Sequence, residues 1–559
     1  MSTTIVLTGL LPFVVLAAAL LAFPVCFVLL RLYRNSVSRG MARVGGSDTA
    51  SLESGAGIRT PAARLEFRYL DADTKDSRNQ AGDLSYQRAV RGPWRASIVY
   101  AAGGLCYSLL MTAGWLLATR DKEIVWSKLL ILSWTYFWPV ILTILLIAAY
   151  DSTRRWQLFG AYFAMLAVLI AIAVARNPEM GVGSLPLYWV ITNGPATVLL
   201  FTFLIRPIRA VGPLVLVFLL ALAAGSQSVL SVAGANEGLL RAITGIGLEL
   251  GLGAHGIFIA MILVGMAAFA FFGWPLLRLL GKRYEQKKFS EQSIMLDALW
   301  LLFGVVQSIG FAFEGAAWIL TGPVAFIGYK LVSSLGLRWT TKAPTDNAPK
   351  TLLLLRVFAL AKRSEQLFDK LRKHWQYAGS ISMIAGPDLV TTTIEPHEFL
   401  DFVSGRLGRQ FVSDGQDLER RVKAIDPAPD PDGRYRINEF FCHNDTWQIT
   451  MERLAAMSDA LLMDLRSFSP ANQGCIFELG RLINSVDLNR VVFLVDHTTD
   501  RAFLESTLLG LWQTMSADSP NQSAGAPPIK LFRIERQSGS ELKTLLRFLL
   551  GAPSRTTPA

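Results

Sequence analysis

The chain has 559 residues, of which 52% are hydrophobic and only 17% are charged, and its formal net charge is +11. This composition lies outside the range of soluble globular proteins and indicates a membrane protein of two or three domains. No nucleic-acid partner is predicted, because much of the positive charge lies in short segments that flank apolar runs.

Seven apolar runs are long enough to cross a lipid bilayer, which needs about 20 helical residues per crossing. Basic residues follow every second run, beginning with Arg31 and Arg34 after the first and Arg154 and Arg155 after the third. This alternation predicts a multi-pass protein of the inner (plasma) membrane, with an outside N-terminus and a cytoplasmic C-terminus. The predicted spans lie near residues 5–30, 96–119, 129–150, 156–175, 185–205, 211–232 and 254–277.

The run from 294 to 337 is apolar for more than one crossing but short for two. It predicts either a hairpin with Glu314 at the outer turn or a segment partly in the membrane interface, so seven or nine crossings remain open. Both alternatives leave the C-terminus inside. Residues 31–95 are predicted to be a cytoplasmic loop, and residues 341–350 a linker that ends the membrane region 1–340.

From residue 351 to 559 the pattern changes to short apolar runs that alternate with helical segments. Nearly continuous apolar strands between helices predict an α/β domain with a mainly parallel sheet that is covered on both faces. In such sheets ligands bind at the carboxyl ends of the strands. The candidate strands are 352–358, 381–385, 435–442, 460–465, 491–495 and 529–534.

Cysteine is scarce. Cys26 and Cys106 fall in apolar runs, and Cys442 and Cys475 lie in the α/β region without CxxC spacing. This usage predicts neither a disulfide framework nor a zinc site, and it fits a reducing compartment. No metal and no resident cofactor is predicted.

Residues 457–482 are the stretch with most chemical information. A helix ends near Ser458, a buried strand runs from 460 to 465, and a polar loop leads into the next helix. Glu478 lies in about the first turn of that helix, where the helix dipole favours a carboxylate. The carboxyl end of the strand is close by, so Glu478 is predicted to point toward the edge where parallel sheets hold ligands.

The same stretch resembles Toll/interleukin-1 receptor (TIR) domains, which have a strand, a loop opening on Ser-Pro, and a helix with a Trp-Cys-x-x-Glu-Leu motif. Here Ser469-Pro470 is followed by Gly474-Cys475-Ile476-Phe477-Glu478-Leu479. The resemblance implies a flavodoxin-like sheet in this domain. It also implies a homo-oligomer, because TIR-like domains often act only when they self-associate.

The stretch is also similar to the nucleoside deoxyribosyltransferases, which have an Asp-rich strand end and a Glu-Leu-Gly helix. The matching segments are Ser458-Asp459-Ala460, Asp464, Glu478-Leu479-Gly480 and, at the first-strand loop, Ile384-Ala385-Gly386-Pro387. In both families the helix glutamate works at the anomeric carbon of a ribose. The resemblance implies a nucleotide ligand such as NAD, with Glu478 as catalytic carboxylate in N-glycosidic cleavage and Asp464, Ser469 and Arg356 at the rim.

The sequence departs from these families in two places. Gly474 stands where the TIR motif has tryptophan, and residues 387–444 form a much longer connection than TIR domains have. Two other functions therefore remain open: a non-catalytic membrane-bound scaffold, or a channel or transporter with a regulatory cytosolic domain. The membrane region has no paired carboxylates or arginine ladder, which favours an anchor or sensor over a conduit.

Overall fold

The structure is a computed structural model of the 559-residue chain. It describes residues 3–43, 64–74, 80–119, 126–148, 152–176, 183–203, 211–340, 349–356, 362–386, 394, 396–425, 427–522 and 528–554. Most of the predicted linker (341–348) and much of the predicted loop 31–95 lie outside the described residues.

The first part of the chain is helical. Seven helical segments among the described residues are long and apolar enough to cross a membrane, namely Leu20–Met41, Ser85–Ala118, Trp126–Ile147, Thr153–Arg176, Ala254–Glu285, Glu291–Ile309 and Ala317–Thr340. They include both helices of the run 294–337 and do not include the helices at the predicted spans 185–205 and 211–232. The helices are α1 (Thr3–Met41), α2 (Gln80–Ala118), α3 (Trp126–Tyr136), α4 (Trp138–Ile147), α5 (Ser152–Arg176), α6 (Ser184–Phe203), α7 (Gly212–Ala235), α8 (Glu237–Glu249), α9 (Ala254–Glu285), α10 (Glu291–Ile309) and α11 (Thr321–Thr340).

Two further details of this region differ from the sequence prediction. The predicted run 129–150 is broken into α3 and α4 at Phe137, where Pro139 takes one of the first two positions of α4. Proline is tolerated there because the first N–H groups of a helix have no partner inside it. The short helix α8 was not predicted, and it begins where the Asn236 side chain accepts a hydrogen bond from the Leu239 N–H.

Helices α10 and α11 form a hairpin across the run 294–337, and Glu314 is exposed in the connection between them. Two glycines allow the backbones to touch. A Cβ on Gly322 would lie 1.9 Å from the carbonyl oxygen of Gly304, so neither helix could carry a larger residue at this crossing. Small residues at the contact are typical of helices that pack inside a membrane.

The second part of the chain is an α/β domain. The strands are β1 (Phe67–Leu70), β2 (Lys350–Arg356), β3 (Gly379–Ile384), β4 (Phe411–Val412), β5 (Ile437–Cys442), β6 (Ala460–Asp464), β7 (Val491–Val495) and β8 (Ile529–Arg533). The helices are α12 (Lys362–Trp375), α13 (Pro396–Val403), α14 (Gly415–Ala424), α15 (Trp447–Met457), α16 (Gln473–Ser485), α17 (Arg501–Gln513) and α18 (Gly539–Leu550). All strand pairs are parallel, in the order β1-β8-β7-β6-β2-β3-β5-β4.

All six predicted strands are present, but the eight-stranded sheet has two further strands that the sequence pattern did not show. One of them, β1, comes from the segment predicted to be a loop, and it pairs with β8 at the edge of the sheet. The other, β4, is a two-residue strand inside the long connection 387–444, which also contains α14. Strands this short at a sheet edge have no clear hydrophobic period, so the sequence gives little sign of them.

The helical region and the α/β domain pack directly against each other. The beginning of α2 joins the apolar core beneath α12 and α18, where Ala89 is fully buried. The last turns of α1 pack on the edge of the sheet formed by β5 and β4, where Val37 shares a core with Phe411 and Phe441. Two long helices therefore run without interruption from the apolar region onto the surface of the domain.

Candidate functional site

The position of Glu478 is set by the connection between β6 and α16. Strand β6 ends at Asp464, a turn follows in which Ser467 has a left-handed φ of 57°, and α16 begins after Asn472. Glu478 lies in the second turn of α16 and is only 4% exposed. Leu479, Leu482 and Ile483 on the same helix are fully buried in the core, which fixes the helix rotation and the position of Glu478.

Glu478 lines a cleft of about 640 Å³, a size within the usual range of small-molecule sites. The cleft lies over the carboxyl ends of β3 and β5 and beside the beginning of α16. Its lining residues are Met41, Ile384, Ala385, Cys442, His443, Asn444, Trp447, Ala471, Asn472, Gln473, Gly474, Cys475 and Glu478. This is the edge of a parallel sheet where ligands bind.

The beginning of α16 presents backbone to the cleft. The N–H groups of Cys475 and Ile476 bond to the Asn472 carbonyl oxygen at 3.0 and 3.2 Å. Gln473 and Gly474 precede them in the first turn and line the cleft, and a Cβ on Gly474 would meet no atom within 4 Å. A helix N-terminus with an uncovered glycine is suited to approach by a phosphate group.

The opposite wall carries aromatic and polar side chains. The Trp447 ring packs edge-on against Phe477, with ring centroids 5.4 Å apart, so it is held in place while part of it faces the cleft. His443 stacks on Phe411 at a centroid distance of 4.9 Å, and exposed Asn444 stands at the mouth. This wall can offer a planar surface and hydrogen bonds to a heteroaromatic base.

The third wall comes from α1. Met41 lines the cleft, and a ring nitrogen of His443 (Nδ1) lies 2.8 Å from the Gly40 carbonyl oxygen. The Asn444 N–H donates to the Arg43 carbonyl oxygen at 3.1 Å. The end of an apolar helix therefore forms part of the cleft.

Asp464 does not lie at the rim. Its side chain is 1% exposed, and Arg466, equally buried, donates to both of its oxygens from Nε at 2.8 Å and from Nη2 at 2.7 Å. The Ser364 hydroxyl donates a further hydrogen bond to Asp464 at 3.0 Å. The predicted rim carboxylate is therefore part of a buried ion pair that lies outside the cleft lining.

Ser469 is also absent from the cleft lining that the structure describes. Ser469 donates from its N–H (2.9 Å) and from its hydroxyl (3.2 Å) to the Asn472 side-chain oxygen, so it shapes the loop before α16. The backbone of Arg356 pairs in register with Asp464 on the neighbouring strand, whereas its side chain lies outside the described residues.

Two cysteines line the cleft, and both are poor nucleophiles. Burial, followed by the negative charges of Glu478 and Asp464, raises the pKa of the Cys475 thiol to about 12. Burial also raises the pKa of the Cys442 thiol to about 12. Both therefore remain protonated at neutral pH. Among the described lining residues, Glu478 is the carboxylic acid.

Several lining residues were missed by the sequence analysis, namely His443, Trp447, Asn472 and Met41. A signal existed for the first two, because His443 directly follows β5 and Trp447 begins the next helix, and side chains at the carboxyl ends of parallel strands reach the binding edge. Met41 carries no such signal. Its place in the cleft depends on the packing of α1 against the domain.

Within the described part of the chain, no group of three or more His, Cys, Asp and Glu residues is placed to hold a metal ion. Comparisons of the chain with protein-family models, with curated proteins and with solved structures found no match.

Proposed function

We propose that the cleft binds a nucleotide such as NAD and that Glu478 promotes cleavage of its N-glycosidic bond. The observation that carries this proposal is the position of a buried carboxylate in a cleft at the carboxyl edge of a parallel sheet. One wall of that cleft is the first turn of a helix and another is aromatic. Phosphate, ribose and base each have a suitable surface in this arrangement.

The strand order supports a relation to the flavodoxin-like and TIR-like folds. The inner part of the sheet, read as β3-β2-β6-β7-β8, has the 2-1-3-4-5 order of flavodoxin-like sheets. Strands β4, β5 and β1 are then additions at the two edges. The long connection 387–444 accounts for β4 and β5, so the departure from TIR domains is an added edge that leaves the inner order unchanged.

The proposed reaction uses one carboxylate. As the bond between the ribose anomeric carbon and the pyridinium nitrogen breaks, its electron pair moves to the nitrogen and nicotinamide leaves as a neutral molecule. The positive charge that develops on the ribose is stabilised by Glu478, and water then adds to the anomeric carbon and releases a proton. No strong general acid is needed, because the leaving group is already cationic.

The proposal places the protein in the inner (plasma) membrane as a multi-pass protein with an outside N-terminus. Seven helices with the length and composition of membrane spans support the membrane location, and the distribution of Arg and Lys supports the orientation. The lipid bilayer is then the partner of residues 1–340, and the domain 351–559 faces the cytoplasm. We further propose that the domain self-associates to reach full activity.

The experiment is nicotinamide release by the purified full-length protein in detergent or nanodiscs, compared with the Glu478→Gln variant. Glutamine keeps the size of the side chain and removes its charge. The matched control is Glu452→Gln. Glu452, on α15, forms an ion pair with Arg481 of α16, the helix that carries Glu478, but it lies outside the cleft.

Loss of nicotinamide release in Glu478→Gln, with release retained in Glu452→Gln, is the expected result. Equal release by the wild type and Glu478→Gln, or no release by the wild type even at concentrations that drive self-association, would remove the enzymatic part. Saturable NAD binding without release would instead favour a sensory or scaffold role for the same cleft.

A further inference from the structure

A second cavity lies between the helical region and the α/β domain, on the opposite side of the sheet from Glu478. Its volume is about 420 Å³. One wall is formed by the ends of α4, α5 and α6, and the other by α12 and the beginning of α10. The cavity therefore joins an apolar surface to a polar one.

The apolar wall consists of side chains from helices with membrane-span composition. Leu145, Phe159 and Phe201 line it, and Phe201 is 51% exposed. A long acyl chain could lie along this wall and continue into the surrounding bilayer.

The charged lining of the cavity is predominantly basic, and it includes Arg155 on α5 and Arg434 before β5 as well as residues of α12 and α10. Arg155, Arg372, Lys373 and Arg434 face the cavity together with the two carboxylates Glu291 and Asp369. The Arg434 guanidinium is held from behind by Asp432 at 3.5 Å and donates to the Gln292 side-chain oxygen at 2.8 Å. When Asp432 behind Arg434 is counted with Glu291 and Asp369, three carboxylates offset the four basic side chains and leave an excess of one positive charge.

Residues near the cavity are of the types found where a helix crosses from the membrane core to the lipid headgroups. Trp156, next to Arg155 at the beginning of α5, is 73% exposed. The Arg154 guanidinium lies over the ring of Trp94, 6.0 Å from its centroid, and Trp94 is itself 38% exposed. Exposed tryptophans beside basic residues are typical of the level where lipid headgroups lie.

We infer that this cavity binds the phosphate-bearing headgroup of an anionic phospholipid. The phosphodiester carries one negative charge, which matches the excess of one cation, and the acyl chains lie against Leu145, Phe159 and Phe201. The inference rests on the proposed membrane location but does not depend on the nucleotide reaction. Because α12 connects this cavity to the sheet, the lipid would bind where the helical region and the domain meet.

The test compares the full-length wild type with charge and cavity variants, each placed in nanodiscs of an equimolar mixture of phosphatidylcholine and phosphatidylglycerol. Protein is then extracted in detergent, and the lipid that remains bound is identified by mass spectrometry. Phosphatidylglycerol is expected to be enriched on the wild type. In the double variant Arg155→Gln and Lys373→Gln, affinity for it should fall about thirtyfold, since each basic residue contributes to headgroup attraction. The matched control is the double variant Lys282→Gln and Arg283→Gln, which removes an exposed basic pair on α9 outside the cavity and should retain the lipid as the wild type does.

A second variant, Leu145→Trp, keeps every charge and fills the apolar side of the cavity, and it should also reduce retained lipid. Equal enrichment on the wild type, the double variant and Leu145→Trp would overturn the inference. Displacement of the lipid by equimolar glycerol phosphate would overturn the lipid assignment in favour of a soluble phosphate ligand. Partition of the protein into the membrane fraction and nicotinamide release are measured separately, so failure of the proposed function is distinguishable from failure of this site.

Discussion

A ring nitrogen of His443 lies 2.8 Å from the carbonyl oxygen of Gly40, although 403 residues separate them in the chain. His443 directly follows β5 at the wall of the cleft, and Gly40 is in the last turn of α1. The contact is close because Gly40 has no side chain. A Cβ at this position would lie 2.3 Å from the tip of the Phe411 ring.

Substitution of Gly40 should therefore disturb the cleft from outside it. In Gly40→Ala the methyl group meets Phe411, so the end of α1 must move away from His443. We expect a loss of stability of about 1–3 kcal/mol and a several-fold loss of nucleotide affinity. The measurements are thermal unfolding and equilibrium binding of NAD by the full-length protein.

Gly160→Ala is the matched control, because Gly160 also lies in a helix of the apolar region and a Cβ there would meet no atom within 4 Å. This variant should bind nucleotide as the wild type does. If Gly40→Ala binds equally well, the end of α1 has no part in the ligand site.

Gly474 offers a test in which stability and binding change in opposite directions. A Cβ at Gly474 meets no atom within 4 Å, so Gly474→Ala should stabilise the folded protein by about 0.5–1 kcal/mol through reduced chain entropy. The same methyl group would stand in the cleft where we place a phosphate. NAD affinity should fall while the melting temperature rises, and unchanged affinity would place the phosphate elsewhere.

The Asp464–Arg466 ion pair should be structural. Both side chains are about 1% exposed, so Asp464→Asn leaves the Arg466 charge buried without its carboxylate partner. We expect a loss of about 3–5 kcal/mol in the free energy of unfolding. Arg241→Gln removes a pair whose side chains are more than four-fifths exposed, and it should cost less than about 1 kcal/mol. A stable Asp464→Asn protein that had lost NAD binding would instead make Asp464 a ligand residue.

The pKa of Cys475 predicts slow alkylation. With a pKa of about 12, the thiolate fraction at pH 8 is about 10⁻⁴, and it rises about tenfold with each pH unit up to the pKa. Iodoacetamide labelling of Cys475, followed by peptide mass spectrometry, should show this dependence. Because Cys475 lines the cleft, saturating NAD should slow the labelling further. Rapid labelling at pH 7 that NAD does not affect would contradict this description of the cleft.

The central strands could be predicted because each is a continuous apolar run that is buried on both faces, as in β6, where all five residues are buried. The position of Glu478 beside the cleft could also be predicted, because a strand, a loop and a helix in this order bring the beginning of the helix to the carboxyl edge. Its role in chemistry was inferred from a resemblance and stays a prediction.

The environment of Asp464 could not be predicted. A carboxylate at a strand end either faces the ligand edge or pairs with a neighbour, and the outcome here depends on the turn at Ser467, whose φ is 57°. Arg466, immediately before Ser467, folds back onto Asp464. Nothing in the residue types of this loop specifies that conformation.

The contributions of distant segments to the sheet and the cleft could not be predicted either. Strand β1 has only four residues and two exposed side chains in its middle, so its sequence resembles a loop. The place of Met41 in the cleft follows from packing between α1 and a domain that begins about 300 residues later. Such contacts depend on tertiary structure, which the local pattern of hydrophobic residues does not report.

The proposed function requires a nucleotide ribose to lie against Glu478. Its most direct test is a structure of the full-length Glu478→Gln variant with saturating NAD, since this substitution should slow cleavage and keep the ligand intact. We expect the base beside Trp447, the phosphates at the beginning of α16, and the anomeric carbon about 3.5 Å from the side chain of residue 478. An ordered NAD bound elsewhere, or an empty cleft at saturation, would contradict it.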